Sequence, residues 1–439
     1  MRIAYIVPGT GGAFYCENCI RDYALIGGLQ ALGHEVVVVP LYLPPTDAEK
    51  VAAQTAPLFF GAVRLYLQHK SPKLRRLSYR TLQFLDHPVL LRLAASQAGS
   101  TRAEGHEELT LSMLRGPEGN AGAEFERLAR WLTRSVAPEA VFISNTLLLG
   151  VGTALKGHST TPVVCLAQDE HVWVQSSSPD YRSELWGALS AACRSADVLL
   201  TLSAWYRDKA ASDMHIPPER IGVIPFGVDP ARYHVTPAQN AAPVMGFLSR
   251  LCQANGLGTT VEAYRILRSD YPNLSLRLFG GYTRDDQPFL KECLKELSFR
   301  PVTYSRQSSY KDRAAFLSSL SFLSVPLGAD AALGTFMVEA MASGVAVVQP
   351  DKGGFRELIR ATGGGILFSP TTAAALADAA RPLIEDPALR HALGKRGREA
   401  VEGHFNHLTM ARSAIDHLES ALASHPARST RQRSRSHAL

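Results

Sequence analysis

One stretch of 21 residues, from Gly334 to Gly354, constrains the fold of this 439-residue chain more than any other part. It begins with a glycine, continues as an apolar run that carries a single acid, Glu339, and reaches another glycine at Gly344. A mostly apolar segment, 345–349, follows, and a Gly-Gly pair closes the stretch. Apolar segments separated by glycines in this way predict a helix, a buried parallel strand and the start of a second helix. We therefore predict an αβα unit of a doubly wound parallel sheet.

The start of the first predicted helix has the features of an anion site. Unpaired backbone N–H groups and the positive end of the helix dipole favour a phosphate, and Gly334 lets a ligand approach the backbone closely. Glu339 falls more than a turn further on, where a carboxylate can accept hydrogen bonds from ribose hydroxyls, as acids do in other nucleotide sites. The pattern favours a sugar nucleotide, with its diphosphate at the turn and its ribose at Glu339. The same spacing also fits a core helix whose one glutamate faces solvent.

The composition fits an enzyme with two α/β domains. The chain is long enough for two cores of ordinary size, and 46% hydrophobic with 20% charged residues is typical of soluble enzymes. The sequence contains no run of about 18 apolar residues, which a transmembrane helix requires. We therefore expect a cytoplasmic protein.

The cysteines indicate neither a disulfide framework nor a metal site. The chain has six, and in a reducing cytosol we expect them to remain thiols. Only Cys16 and Cys19 have a suggestive spacing, and a zinc site would need a second such pair, so no metal is expected. A redox pair is the alternative, because the N-terminus of a helix lowers the pKa of a thiol. Ordinary packing thiols are the favoured interpretation.

The formal net charge of +6 is concentrated at one end of the chain. The segment 424–439 is rich in serine and arginine, lacks apolar periodicity and is predicted to be disordered. A solvated terminus is the favoured interpretation of the tail. Peripheral contact of the tail and the basic stretch 70–80 with a membrane surface is the alternative, and no nucleic-acid partner is expected. Without four arginines of this tail the net charge is +2; they are Arg428, Arg431, Arg433 and Arg435.

Alternating strands and helices begin at the first residues. A predicted strand Arg2–Val7, a glycine-rich turn at 9–12, a helix over 16–32 and an apolar strand at 35–39 form a βαβ unit. From about 44 to 122 the pattern loosens into basic and aromatic stretches. Such an insertion in an α/β domain commonly shapes an acceptor pocket.

A second parallel-sheet domain is predicted in the later half. Residues 236–243 have the composition of a linker, and a new apolar strand follows at Val244–Leu248. Further strands then alternate with helices. We place the domains at 1–240 and 241–423, with ligand in the cleft where the carboxyl ends of the strands face each other.

This arrangement resembles the glycosyltransferases of GT-B fold, and specifically the family 4 group, which transfers sugars from nucleotide donors with retention of configuration. The resemblance covers nearly the whole chain apart from the tail. It implies two doubly wound, Rossmann-like domains facing a cleft, and a bacterial-type transferase that uses a nucleotide sugar and an acceptor but no further cofactor. The matching landmarks are Pro8–Gly12, Ala31–Val36, Val223–Asp229, Ser249–Leu251, Phe279–Gly281, Gly334–Glu339, Ser343–Val348 and Gly353–Leu358.

The resemblance also implies a donor site and candidate catalytic groups. Glu170 and His171 follow a predicted strand at its carboxyl end and are candidates to act on the acceptor proton; a solvated loop is the other interpretation. Arg250 would supply a cation for the diphosphate. The expected donor-binding residues are Gly11, Gly12, Arg250, Asn255, Gly334, Thr335, Phe336 and Glu339.

Two positions depart from the family. Its diphosphate-binding lysine corresponds to Asn255, and the first of its two glutamates, eight positions before Glu339, corresponds to Ala331. Losing the lysine removes a charge-assisted hydrogen bond worth about 1.5–3 kcal/mol, and losing the glutamate costs on the order of a hundredfold in rate. Asp330, beside the vacant position, is a candidate substitute.

These departures leave three functions open. The chain is a glycosyltransferase, a catalytically silent paralogue that binds a ligand or an active partner, or a GT-B enzyme with altered coupling chemistry whose reaction does not need the missing acid.

Overall fold

Two parallel sheets organise the chain. The computed structural model describes residues 1–9, 15–42, 54–55, 104–235, 242–297, 302–305 and 310–424. The strands are β1 (Arg2–Val7), β2 (Glu35–Pro40), β3 (Gln54–Thr55), β4 (Ala140–Ile143), β5 (Val163–Leu166), β6 (Val198–Thr201), β7 (Ile221–Val223), β8 (Val244–Leu248), β9 (Ser275–Phe279), β10 (Val302–Ser305), β11 (Phe322–Leu323), β12 (Ala346–Pro350) and β13 (Gly365–Phe368). Their orders are β3-β2-β1-β4-β5-β6-β7 and β10-β9-β8-β11-β12-β13, as expected for two doubly wound domains.

Helices connect the strands and cover the sheets. In the first domain they are α1 (Glu17–Ala31), α2 (Glu107–Arg115), α3 (Gly122–Trp131), α4 (Gly150–Lys156), α5 (Glu170–Gln175), α6 (Pro179–Cys193) and α7 (Ala204–Met214). In the later part they are α8 (Leu257–Asp270), α9 (Gln287–Glu296), α10 (Tyr310–Ser318), α11 (Thr335–Ala342), α12 (Gly353–Thr362), α13 (Ala373–Glu385), α14 (Pro387–Gly403) and α15 (His407–Ala423).

The strand pattern explains why these segments form central strands. In β1 and β2 every residue after the first is buried, which is typical of β-branched runs in parallel sheets with helices on both faces. The predicted bounds of β1 and β8 are those observed. Ser203 precedes α7 as its N-cap, because its hydroxyl accepts the N–H of Tyr206.

The last helix returns to the first sheet. Gly28 of α1 lies so close to α15 that an added Cβ would stand 2.2 Å from the carbonyl oxygen of His407. Val228 pairs with Asn406 just before α15 begins. The predicted boundary at 241–423 assigned α15 to the second domain, whereas its packing against α1 places it on the first. Apolar periodicity reveals that a helix has a buried face, but not which sheet that face covers.

Several predictions lie outside the described residues. These are the roles of Gly11 and Gly12, most of the 44–122 insertion with its basic stretch 70–80, and the tail beyond residue 424. Within the described ranges, no helix combines the length and the apolar character needed to cross a membrane.

Candidate functional site

The N-terminus of α11 faces the first domain and holds a carboxylate. Thr335, the first residue of the helix, donates its backbone N–H to Glu17 Oε2 over 2.9 Å, and its hydroxyl lies 3.1 Å from the same oxygen. Glu17 belongs to α1, so this contact joins the two domains. Anions are favoured at a helix N-terminus. The protein's own carboxyl group thus lies at the position predicted for an anion.

Glu339, more than a turn further along α11, is fully buried. Its Oε2 accepts from the Tyr15 hydroxyl over 2.6 Å, and its Oε1 accepts from the Tyr233 hydroxyl over 2.7 Å and from Arg313 Nε over 3.1 Å. A buried carboxylate requires donors of this kind. The interpretation that this glutamate faces solvent is therefore wrong. A ribose could take the predicted place at Glu339 only if Tyr15 moved away.

Phe336 does not have the predicted role through its side chain. Its ring is fully buried and packs edge-on against Phe355, with 6.0 Å between ring centroids. The ring itself cannot reach a donor in this structure, because helix α11 turns it into the core of the second domain; the predicted donor-binding role of Phe336 therefore stays a prediction. Gly334 adjoins the same ring: an added Cβ would lie 2.6 Å from Phe336 Cζ. The structure thus gives Gly334 a packing role besides the predicted one.

A second carboxylate contact joins the domains beside the first. Asp169 Oδ1 accepts the backbone N–H of Ala332 over 2.6 Å, and the Ala332 carbonyl accepts from the Ser203 hydroxyl over 2.6 Å. Asp169 has a left-handed backbone conformation, with φ of 61°, which is uncommon for residues other than glycine. The backbone N–H groups of Ala332 and Thr335 are thus both held by acids of the first domain.

His171 also lies on this interface, as predicted from its place after β5. Its Nε2 lies 3.0 Å from the Asp330 carbonyl oxygen and therefore donates to it. Nδ1 is buried and has no hydrogen-bond partner among the described residues. Burial lowers the pKa of His171, so the imidazole is neutral near pH 7 with an available lone pair. The Asp330 side chain is exposed.

The prediction that Glu170 acts on an acceptor proton is wrong. Its side chain is buried, with Oε2 accepting from the Tyr206 hydroxyl over 2.5 Å and Oε1 accepting from the Thr146 N–H over 3.2 Å. The carboxylate therefore ties α5 to neighbouring segments of the first domain. Alternation along a loop cannot reveal that Asp169 and His171 face the other domain while Glu170 faces the interior.

Arg250 and Asn255 lie in the turn between β8 and α8. Arg250 Nε stands 3.3 Å from Asp286 Oδ2 in an ion pair with both side chains largely buried. Asn255 donates its amide to the Ser249 hydroxyl over 2.8 Å and to the Arg250 carbonyl over 3.3 Å. The amide at the family's lysine position therefore shapes the turn that carries Arg250.

Cys16 and Cys19 form a disulfide at the start of α1. We expected packing thiols, so this prediction is wrong for the pair. The two cysteines lie on either side of Glu17 in the sequence, and the carboxyl group of Glu17 contacts Thr335 of the second domain. Within the described part of the chain, no cluster of three or more His, Cys, Asp or Glu side chains has the arrangement of a metal site.

The two bridging carboxyls predict a pH dependence. Burial raises the pKa of Glu17 to about 7 and that of Asp169 to about 8. Because these values exceed the ordinary ones, their contribution to the closed interface is complete below about pH 4 and is lost as the pH rises through 7 and 8. We expect amide hydrogen exchange at Ala332 and Thr335, corrected for the intrinsic rate, to accelerate between pH 6 and about 9. A pH-independent protection factor would contradict this.

Four residues of the site were missed from the sequence: Tyr15, Glu17, Tyr233 and Arg313. A usable signal existed for the first two, since they follow the glycine-rich turn directly and so begin the helix that faces the cleft. Arg313 lies on α10 with its guanidinium 6.0 Å from the centroid of the Tyr15 ring. Nothing in the local pattern of α10 distinguishes this arginine from a surface one.

Two family models match the chain. The one described as "Glycosyl transferase 4-like domain" matches residues 22–227, and the one described as "Glycosyl transferases group 1" matches residues 234–400. Together they include most of both sheets and α11 itself, but not Tyr15, Glu17 or Tyr233, which contact that helix.

Named relatives and solved structures agree with these matches. The amylovoran biosynthesis glycosyltransferase AmsK of Erwinia amylovora is 28% identical over 235 residues, 51% of this chain and 56% of AmsK. The glycogen synthase of Mycobacterium tuberculosis is 24% identical over 301 residues, 66% of this chain and 70% of the synthase. The match thus spans little more than half the length of AmsK. The crystal structure of Anabaena HepE in complex with UDP and glucose superposes with a TM-score of 0.69 and 16% identity, covering 96% of this chain and all of that one, which shows a shared fold.

Proposed function

Because the chain belongs to the group 1 glycosyltransferases and has their GT-B fold, we propose that it transfers a sugar from a nucleotide-diphosphate donor to an acceptor, with retention and without a metal. The donor would bind in the cleft at the start of α11. We further propose a cytoplasmic location, with the basic segments contacting a membrane surface.

One observation carries this proposal: the start of α11 already binds a carboxyl group and hydroxyl groups side by side. Thr335 donates its backbone N–H to the carboxyl group of Glu17, and Glu339 accepts hydrogen bonds from the hydroxyls of Tyr15 and Tyr233. A nucleoside diphosphate presents the same two chemistries, an anionic diphosphate and a ribose diol. The helix dipole supports the anion, and buried Glu339 supplies the acceptor for hydroxyls.

The remaining groups suggest how transfer proceeds. Arg250, in the turn after β8, would neutralise charge that develops on the leaving diphosphate. His171 is a neutral imidazole at the interface with an unused Nδ1, suited to accept a proton from an acceptor hydroxyl. Asp330, exposed beside the family's vacant acid position, is the nearest carboxylate in sequence for a developing positive charge on the sugar.

The direct test is a survey of substrates. The purified protein is incubated with a panel of nucleotide sugars and cell extract as acceptor source, and consumption of each donor is followed by mass spectrometry. We expect one or a few donors to be consumed. Turnover of an unusual donor while the common sugars stay inert would favour the altered coupling chemistry, and no consumption at all would contradict the transferase.

A specific observation favours the silent paralogue as a second candidate. The side-chain amide of Asn255 donates its hydrogen bonds within its own turn. Ala331 is only 7% exposed, and its carbonyl oxygen accepts the N–H of Gly354. Restoring a glutamate at Ala331 would bury a carboxylate and disturb the interface. Asn255 is therefore the cleaner position at which to restore the family's residue.

We predict that Asn255→Lys strengthens binding of UDP, GDP or ADP by about tenfold to a hundredfold, because a cation gains a charge-assisted hydrogen bond to phosphate. Isothermal titration calorimetry measures the change. The matched control is Gln253→Lys, which adds the same charge on the exposed side of the same turn. Equal affinities for both variants would contradict a phosphate near residue 255. Transfer or hydrolysis that appears only in Asn255→Lys would identify the natural chain as silent.

A further inference from the structure

The segment that begins α1 fills the cleft with groups that match a nucleotide. The Tyr15 hydroxyl lies 2.6 Å from Glu339 Oε2, and Glu17 Oε2 lies 2.9 Å from the Thr335 nitrogen. The Tyr15 backbone N–H also reaches the second domain, donating to the Gly280 carbonyl over 2.6 Å. A hydroxyl at Glu339 and an anion at Thr335 are the two contacts that the proposed donor would make.

These contacts form a chain of four oxygens between two acids. From Glu17 Oε2 the chain runs 3.1 Å to the Thr335 hydroxyl, 2.9 Å to the Tyr15 hydroxyl and 2.6 Å to Glu339 Oε2. The Thr335 hydroxyl donates to Glu17 and the Tyr15 hydroxyl donates to Glu339, so both hydroxyl hydrogens are used at the ends of the chain. Burial raises the pKa of Glu17 to about 7, which favours its neutral form below that pH.

The charged groups around Glu17 support this protonation. The acids that interact with it are Glu339 on α11 and Asp169 after β5, and both disfavour a second negative charge. Arg313 of α10 pairs with Glu339 over 3.1 Å. Among the described residues, no lysine or arginine forms an ion pair with Glu17. Below about pH 7 Glu17 therefore lies at Thr335 mainly as a neutral acid, and it would ionise once released to water.

We propose that Tyr15 and Glu17 act as an internal mimic of the donor nucleotide. The two side chains occupy the cleft in the unliganded protein and must withdraw when the nucleotide binds. The proposal rests on the proposed function, since it requires that a nucleotide use this cleft. The donor then competes with this segment for the cleft. The apparent association constant equals the intrinsic constant multiplied by the fraction of molecules whose segment has withdrawn. Withdrawal also releases the Glu17 proton, so binding is linked to pH.

The experiment is titration calorimetry of UDP, GDP and ADP with the full chain and its variants. Glu17→Ala removes the mimic's carboxyl group and is expected to tighten binding by about tenfold, and Tyr15→Phe to tighten it by a smaller factor. Glu17→Gln keeps a neutral hydrogen-bonding group. It should bind like the natural chain below about pH 4, where Glu17 is protonated before and after release. At pH 6 it should bind more weakly than the natural chain and release about one proton fewer per nucleotide, measured in buffers of different ionisation enthalpy.

The matched control is Glu357→Ala. Glu357 is another acid that spans the domains, with Oε2 accepting the Ala204 N–H over 2.9 Å and Oε1 accepting from Trp205. Its removal loosens the interface without vacating the site at Thr335, so no gain in nucleotide affinity is expected. A merely structural role for Glu17 would give the same result in Glu17→Ala as in this control.

The outcomes separate the two proposals. Tighter binding by Glu17→Ala alone supports the mimic. Equal or weaker binding by Glu17→Ala, with a nucleotide still bound by the natural chain, overturns the mimic and leaves the transferase intact. If no diphosphate binds to the natural chain, to Glu17→Ala or to Asn255→Lys, the proposed function fails, and the mimic with it.

Discussion

Replacing Glu339 by alanine is expected to lower the free energy of unfolding by about 3–5 kcal/mol, because the largely buried cation Arg313 loses its ion pair with a fully buried carboxylate. The Arg313 side chain is only 12% exposed and pairs with Glu339. The Tyr15 and Tyr233 hydroxyls also lose their acceptor. Urea denaturation followed by circular dichroism measures the loss.

Two further variants identify the cause. Arg313→Met combined with Glu339→Ala removes both charges, and we expect this double variant to recover most of the lost stability. Glu399→Ala is the surface control: its partner Lys395 lies 3.8 Å away and both side chains are more than half exposed, so the change should stay below about 1 kcal/mol. If Glu339→Ala lowers the free energy of unfolding by no more than Glu399→Ala does, the burial of Arg313 does not depend on its ion pair with Glu339.

Replacing Arg21 by methionine is expected to cost about 3–5 kcal/mol by the same reasoning. Arg21 is fully buried in the first domain and donates to Asp22 Oδ1 over 2.8 Å, to Gln168 Oε1 over 2.8 Å and to the Ser144 hydroxyl over 3.0 Å. Methionine keeps the volume but leaves the Asp22 carboxylate buried with only hydroxyl donors. The loss is measured by urea denaturation.

This prediction also has a consequence for the site. Gln168 immediately precedes Asp169, which bridges to the second domain, so release of Gln168 should increase hydrogen exchange at Ala332. Arg115→Met is the matched control, because Arg115 pairs with Glu184 over 2.5 Å and both are about half exposed. A stability loss in Arg21→Met equal to that of the control would show that the buried network contributes little.

The fold was predictable from the sequence because its signals are local. Runs such as Val36–Val39 are apolar on both faces, and only a parallel sheet covered by helices buries such strands. The glycines flanking α11 determine where that helix begins and ends. The return of α15 to the first sheet was not predictable, since its packing depends on Gly28, which is distant in sequence.

The candidate site was predictable only in position. The sequence correctly directs attention to Thr335 and Glu339, but the groups that contact them lie about 320 residues earlier, at Tyr15 and Glu17. Such pairs are set by how two domains meet, which no local period encodes. Glu170 was predicted to belong to the site because it is polar and follows β5, yet its side chain faces the interior of the first domain.

The most direct measurement of the central claim is a crystal structure of the protein grown with UDP, GDP or ADP at millimolar concentration. The account predicts that at least one diphosphate binds with a phosphate oxygen on the Thr335 nitrogen and a ribose hydroxyl on Glu339, and that Tyr15 and Glu17 are displaced. A nucleotide bound elsewhere while Glu17 still contacts Thr335, or no bound nucleotide with any of the three, would contradict it.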